Sequence, residues 1–314
     1  MIEKKELGNT GILISEIGFG TWGISGEWGK TLSEKQILEV LNTATKNGIN
    51  FFDTAAVYGN GRMEKMIGKI SNQNIIISTK IPAVIKPKEP LKKFSYYYPK
   101  KIINQTALTS MKRLNKSSID ILLLHNWNSV WNYNAKKNLE NITLLKTKKI
   151  AKAIGISLPN WMNHDIDELL ENGFIDCVEL PVNIFQQWGI KKVIKKAKKN
   201  NIGILARSCL DNGSLGGLMN NLDLLPESDF RKKQFEEPQK SMMIKKINKL
   251  LKKAKITQKQ LPSYAIQFVI SHKGITSAII GMRDKQTVIK NILDYKEKFT
   301  KMQLSIARNF EANK

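Results

Sequence analysis

The chain has 314 residues, 41% hydrophobic and 25% charged, the balance of a soluble globular protein with enough apolar side chains to bury a core without staples. Its two cysteines, Cys177 and Cys209, form no CxxC pair, and no apolar run reaches the length of a membrane span, which excludes a disulfide framework, a zinc site and a membrane-spanning helix. The net charge of +24 invites anionic partners, yet its lysines alternate with apolar residues at helical spacing in "KKVIKKAKK" (191–199) and "MMIKKINKLLKKAK" (242–255), the pattern of solvated helix faces rather than of a nucleic-acid groove.

In chain order the first feature is "KKELGNTGILI" (4–14), a predicted hairpin turning at Gly8–Gly11. Short apolar runs then alternate with amphipathic helical patterns. The strand candidates are "EIGFG" (16–20), "NFFDT" (50–54), "IIISTK" (75–80), "IDILLLH" (119–125), "AKAIGIS" (151–157), "IDCVEL" (175–180), "IGILARS" (202–208) and "SAIIG" (277–281). They are continuously apolar, as strands covered on both faces must be. "SEKQILEVLNTATKNG" (33–48) predicts a helix with Ser33 as N-cap and Gly48 just past its end.

Eight strands with helices between them predict an α/β fold, a (β/α)8 TIM barrel spanning residues 1–314 as a single domain, with the hairpin ahead of its first strand. An open doubly wound sheet would want a GxGxxG turn after that strand, and "GFGTWG" (18–23) is not one. Two long segments, 81–99 after the third strand and 209–238 after the seventh, read as functional loops at the C-terminal face.

Four ionisable residues fall at the ends of successive strands or just beyond them: Asp53 and Tyr58 after the second, Lys80 at the third, His125 at the fourth. Taken singly, each has a plain structural explanation, such as a helix cap, packing or a solvated rim. Together they mark the face on which barrel active sites are built. A phenol with a pKa of about 10 is a poor proton donor at neutral pH. A lysine cation beside it is expected to lower that value, and a carboxylate to hold the lysine charged and oriented. A neutral imidazole then positions a carbonyl oxygen against the phenol. This set suits protonation of an alkoxide as a hydride arrives, or the reverse, with the hydride coming from a nicotinamide cofactor.

The motifs "FFDTAAVYGNG", "STK", "LLLH" and "IGIS", in this order and spacing, resemble those of the aldo-keto reductase superfamily over essentially the whole chain. The resemblance implies a catalytic tetrad of Asp53, Tyr58, Lys80 and His125, and an extended NADP(H), with NAD(H) as the alternative, across the barrel mouth. It implies cofactor contacts from Thr21 and Trp22 at the nicotinamide ribose, and from Asp53, Ser157 and Glu179 around the ring. Arg207, Ser208 and Leu210 would hold the ring face and pyrophosphate, and Gly281, Arg283, Thr287 and Asn291 the adenosine phosphate.

Several positions depart from the family pattern: Leu158 stands where Asn is usual, Glu179 where Gln is, and Asp284 and Thr287 replace commoner residues near the adenosine. A carboxylate at 284 would repel a 2′-phosphate. Trp28 and Trp127, with Tyr58 and His125, are the expected substrate pocket, and Trp131 and the run Tyr96, Tyr97 and Tyr98 are further aromatic candidates.

The expected partner is a small carbonyl or alcohol substrate, with no specific nucleic acid, membrane or metal. A cytoplasmic monomer or small homo-oligomer is expected, since "MIEKKELGNTG" (1–11) lacks the apolar core of a signal peptide. Potassium-channel beta subunits share the barrel, so a cofactor-sensing partner subunit is the alternative role.

Overall fold

The apolar runs form strands in chain order: β1 (Lys4–Glu6), β2 (Leu13–Ser15), β3 (Ile17–Gly20), β4 (Phe51–Asp53), β5 (Ile76–Ile81), β6 (Ile119–His125), β7 (Ala151–Ser157), β8 (Cys177–Pro181), β9 (Gly203–Arg207) and β10 (Ser277–Gly281). The computed structural model describes residues 1–29, 31–71, 74–87, 91–160 and 165–310. Strands β3 to β10 are parallel, and β10 closes on β3, with Ala278 opposite Ile17 and Gly281 opposite Gly20. Helices surround them, as the (β/α)8 reading expects. Strands β1 and β2 pair antiparallel ahead of the barrel, Lys4 opposite Ser15.

The helix Glu34–Lys46 shows how the outer layer is made. Ser33 Oγ accepts from Gln36 N at 3.3 Å, and Gln36 Oε1 accepts from Ser33 N at 2.9 Å, so two otherwise unpaired donors are satisfied reciprocally. Ile37, Val40, Leu41 and Ala44, at helical spacing, are its buried face. The lysine-rich helix Gln239–Ala254 buries Ile247, Leu250 and Ala254 while Lys245, Lys252 and Lys253 are exposed. No helix among the described residues is long and apolar enough to cross a membrane.

Side chains alternate along a strand, so every second residue points into the barrel. Phe51, Ile121, Leu123, Ala153, Cys177, Leu205 and Ile279 form an apolar plug there, continuous with Leu7, Ile12 and Ile14 of the hairpin. The hairpin thereby floors the barrel. Its turn uses Gly8 at φ +60°, where a Cβ would also stand 2.5 Å from the carbonyl oxygen of Asn201.

Two residues further along the same inward rows come Asp53 after Phe51, His125 after Leu123, Glu179 after Cys177, Arg207 after Leu205 and Gly281 after Ile279. The period-2 pattern therefore changes from oil to charge on one level, at the C-terminal mouth. The segment 209–238 caps this mouth with short turns and the helix Phe230–Gln234, and the loop after β5 carries the helix Phe94–Tyr97.

Candidate active site

Lys80 is at the centre of the polar layer and is fully buried. Its Nζ donates to Asp53 Oδ1 at 2.6 Å, to Asp53 Oδ2 at 2.7 Å and to the carbonyl oxygen of Thr54 at 3.0 Å. A second carboxylate oxygen, Glu179 Oε2, lies 3.1 Å away. Ser78, two residues before Lys80 on the same face, donates its hydroxyl to Asp53 Oδ1. Tyr58 lies on the turn after β4, its ring centroid 5.6 Å from Lys80 Nζ. The His125 ring meets it edge-on, with 6.3 Å between centroids.

Burial dominates the acid–base behaviour here. It pushes the Tyr58 phenol up to about 12; Lys80 pulls it down, but Asp53 and Glu179 push it up again. Lys80 thus acts in the expected direction, but the net shift is the reverse of the expected one: burial first, and the two carboxylates after it, outweigh the cation. Burial, then the charge of Lys80, drives His125 down to about 3, so its imidazole is neutral. Burial, then Glu179, raises Asp53 to about 7 against the pull of Lys80. Burial alone would lower Lys80, but Asp53 and Glu179 hold it well above the ordinary lysine range. Burial opposes ionisation of Glu179 as well, yet Lys80 first and Arg207 second keep that carboxyl below its usual value.

The cluster opens into a cavity of about 1140 Å³. Tyr58, His125, Asp53 and Glu179 line one part of it, Arg207, Ser208 and Leu210 the next, and Gly281, Arg283, Thr287 and Asn291 the far part. At Gly281 a Cβ would point into open space, so the cavity wall there is bare backbone. At the far part, buried Asn291 has an Nδ2 with no hydrogen-bond partner, a donor that a heterocyclic base would satisfy. Ser157 is behind the wall and donates to Glu179 Oε1 at 2.8 Å. Asp284 caps the helix Lys285–Lys296 by accepting from Thr287 N at 2.7 Å and from its hydroxyl at 2.9 Å.

Two further expected residues lie off the cavity wall. Thr21 is wholly buried, off the cavity wall, with its hydroxyl on the carbonyl oxygen of Asp53 at 2.9 Å; it holds two strand ends together. Trp127 is wholly buried too, packed against Phe94 and Trp131, so it braces the loops and is not part of the pocket lining. Trp28 does line the cavity, but at an aromatic clasp: it meets Trp22 edge-on at 5.4 Å and Phe230 at 5.8 Å, with the Arg231 guanidinium 4.3 Å above its ring. Tyr97 and Tyr98 are buried, and the Tyr98 hydroxyl donates to the carbonyl oxygen of His125, supporting the site from behind. Sequence reasoning missed Arg231, which grips buried Asp229 through two nitrogens, at 2.9 and 2.6 Å. No spacing in the long insertion signals it. It also missed Ser78, which the period of 2 from Lys80 would have found.

The family model described as Aldo/keto reductase family matches residues 16–311. The chain belongs to the aldo/keto reductase family. Its members are oxidoreductases of carbonyl and alcohol substrates and use nicotinamide cofactors. The chain is 28% identical over 294 residues to the aldo-keto reductase YhdN of Bacillus subtilis, covering 90% of this chain and 85% of that one. It is 25% identical over 307 residues to an NADH-specific methylglyoxal reductase of Escherichia coli, covering 93% of each. Among solved structures, a glycerol dehydrogenase of Gluconobacter oxydans shares the aldo/keto reductase barrel at a TM-score of 0.77 and 20% identity, over 98% of this chain and 94% of that one.

Proposed function

We propose that this aldo/keto reductase is an NADP(H)-dependent oxidoreductase that interconverts an aldehyde, ketone or sugar carbonyl with its alcohol, Tyr58 serving as general acid and base. NAD(H) is the alternative cofactor. The observation that carries the reading is the Tyr58–His125 pair opening into the cavity beside the Lys80–Asp53 ion pair. Trp22, Ser208, Leu210, Gly281, Arg283 and Asn291 are the residues that would hold the dinucleotide along the cavity wall. The nicotinamide supplies the hydride.

The chain's own part is proton management. With its pKa near 12, Tyr58 is protonated at neutral pH and is the proton source for a carbonyl oxygen being reduced. Neutral His125 offers that oxygen a second hydrogen bond and adds no charge. Lys80, held cationic, stabilises the phenolate left behind. In the reverse direction the phenolate takes the alcohol proton, so oxidation gains with alkaline pH.

The test is an aldehyde and sugar panel run with NADPH and with NADH. Turnover that is lost in Tyr58→Phe supports the proposal. Tight nucleotide binding without turnover of any carbonyl would instead favour a cofactor-sensing partner subunit.

A further inference from the structure

Glu179 is an unusual group to find on this wall. It is 1% exposed, and its Oε1 accepts from Ser157 and lies 3.4 Å from Arg207 Nε. Its Oε2 faces Lys80 Nζ at 3.1 Å yet receives no hydrogen bond. The Lys80 donors are already directed at Asp53 and Thr54. A buried carboxylate oxygen with no donor is costly, and it lines the same cavity as Tyr58 and His125.

Resting on the nicotinamide reading above, we infer that Glu179 makes the site discriminate between redox states, binding the oxidised nucleotide more tightly relative to the reduced one. The reacting carbon of the ring must come within about 3.5 Å of a carbonyl carbon whose oxygen is hydrogen-bonded to Tyr58. Tyr58 and Glu179 line the same cavity, with Lys80 Nζ 5.6 Å from the centre of the Tyr58 ring and 3.1 Å from Glu179 Oε2, so a nicotinamide ring in reach of Tyr58 would be held near this carboxylate.

The charges around that place are Asp53 from β4, Lys80 from β5, Glu179 from β8 and Arg207 from β9, with His125 from β6 neutral. They cancel. A ring that is cationic when oxidised and neutral when reduced meets a balanced wall only because Glu179 is ionised. Without that charge the wall carries a net positive charge and repels the oxidised ring alone.

The experiment is fluorescence or calorimetric titration of NADP⁺ and NADPH at pH 8 with wild type, Glu179→Gln and Glu179→Asp, thermal melting having checked that each folds. The wild type should bind NADP⁺ at least as tightly as NADPH. The ratio of the NADP⁺ to the NADPH dissociation constant should rise about fivefold or more in Glu179→Gln, mainly through weaker NADP⁺ binding. Glu179→Asp, which keeps the charge, should stay near wild type.

Equal weakening of both nucleotides in Glu179→Gln would mean that the residue merely braces Ser157 and Arg207, and would overturn the inference. So would an unchanged ratio. If the Gln variant does not fold, a wild-type ratio well above one overturns it unaided. Should neither NADP(H) nor NAD(H) bind the wild type, the functional reading falls, and this inference with it. Binding of both redox forms with a ratio that Glu179→Gln leaves unchanged removes this inference alone.

Discussion

Lys80 reaches both carboxylate oxygens of Asp53, at 2.6 and 2.7 Å, with none of its own side chain exposed. Removing one partner from such a pair strands the other in a dry interior, which typically costs about 3–5 kcal/mol. Lys80→Met leaves two carboxylates, Asp53 and Glu179, facing each other. We expect it to lose stability of that order, and the double variant Lys80→Met/Asp53→Asn to recover a substantial part. Urea unfolding of the three proteins checks this; a double variant weaker than the single one refutes the charge account.

Tyr58→Phe removes the phenol oxygen and leaves the rest of the cavity wall intact. A positioned acid contributes about 10²–10⁴ in rate. Carbonyl reduction should fall by at least about a hundredfold, while the dissociation constant for NADPH stays within about twofold of wild type. Steady-state kinetics and fluorescence titration separate the two effects.

Two groups of the site make opposed contributions to the pH dependence of stability. His125 is held at about 3 against an ordinary 6.5, by burial first and Lys80 second. Between those values the unfolded chain binds a proton that the folded one refuses, so stability falls as pH falls, by about 1.4 kcal/mol per pH unit. Asp53 is raised to about 7 from 3.8, by burial first and Glu179 second. Between those values the folded chain binds a proton that the unfolded one has released, so this group favours the fold as pH falls. His125→Asn deletes the first contribution only. On going from pH 7 to pH 5, the variant should do better than wild type by about 2 kcal/mol, measured by urea unfolding at both pH values.

Arg283 lines the cavity together with Arg231, Lys285 and Lys290, donating to the carbonyl oxygen of Trp28 at 3.3 Å and lying 3.9 Å from Asp229. A guanidinium can hold a phosphate through two nitrogens. Arg283→Ala should weaken NADPH far more than NADH; equal losses would show that it does not read the 2′-phosphate. Asp284→Ser keeps a capping oxygen for Thr287 N and removes a negative charge, so it should improve NADPH binding with little loss of stability. Paired titrations of both cofactors decide each case.

How much of this was legible in the sequence depends on what each residue has to satisfy. Strand β6, "IDILLLH", could be read because a strand covered on both faces is apolar through its middle, Ile121 to Leu124, with Asp120 near its start held by Lys116 and Lys152. The same constraint exposed His125, Asp53 and Lys80 as interruptions of an apolar run. Trp127 was misplaced because an indole serves a pocket wall or a loop core equally well, and only packing against Phe94 and Trp131 decides. The direction of the Tyr58 shift was wrong for a related reason. Sequence adjacency identified one cation near the phenol, but the burial and the second carboxylate, contributed by Glu179 more than a hundred residues later, exist only in the folded barrel. The segment 209–238 was rightly read as a loop, but its Asp229–Arg231 grip follows no periodicity.

The hairpin floor has a consequence for traffic. Leu7 and Ile14, fully buried against Leu205 and Ile121, stopper the lower end of the barrel, and the polar layer above them faces a cavity that opens on the opposite side. A vessel with one mouth imposes a queue. If nucleotide and carbonyl both reach Tyr58 through that mouth, whichever settles deeper has to enter first and leave last. Trp22 and Trp28, braced by Phe230, stand on the wall of the cavity that both must share.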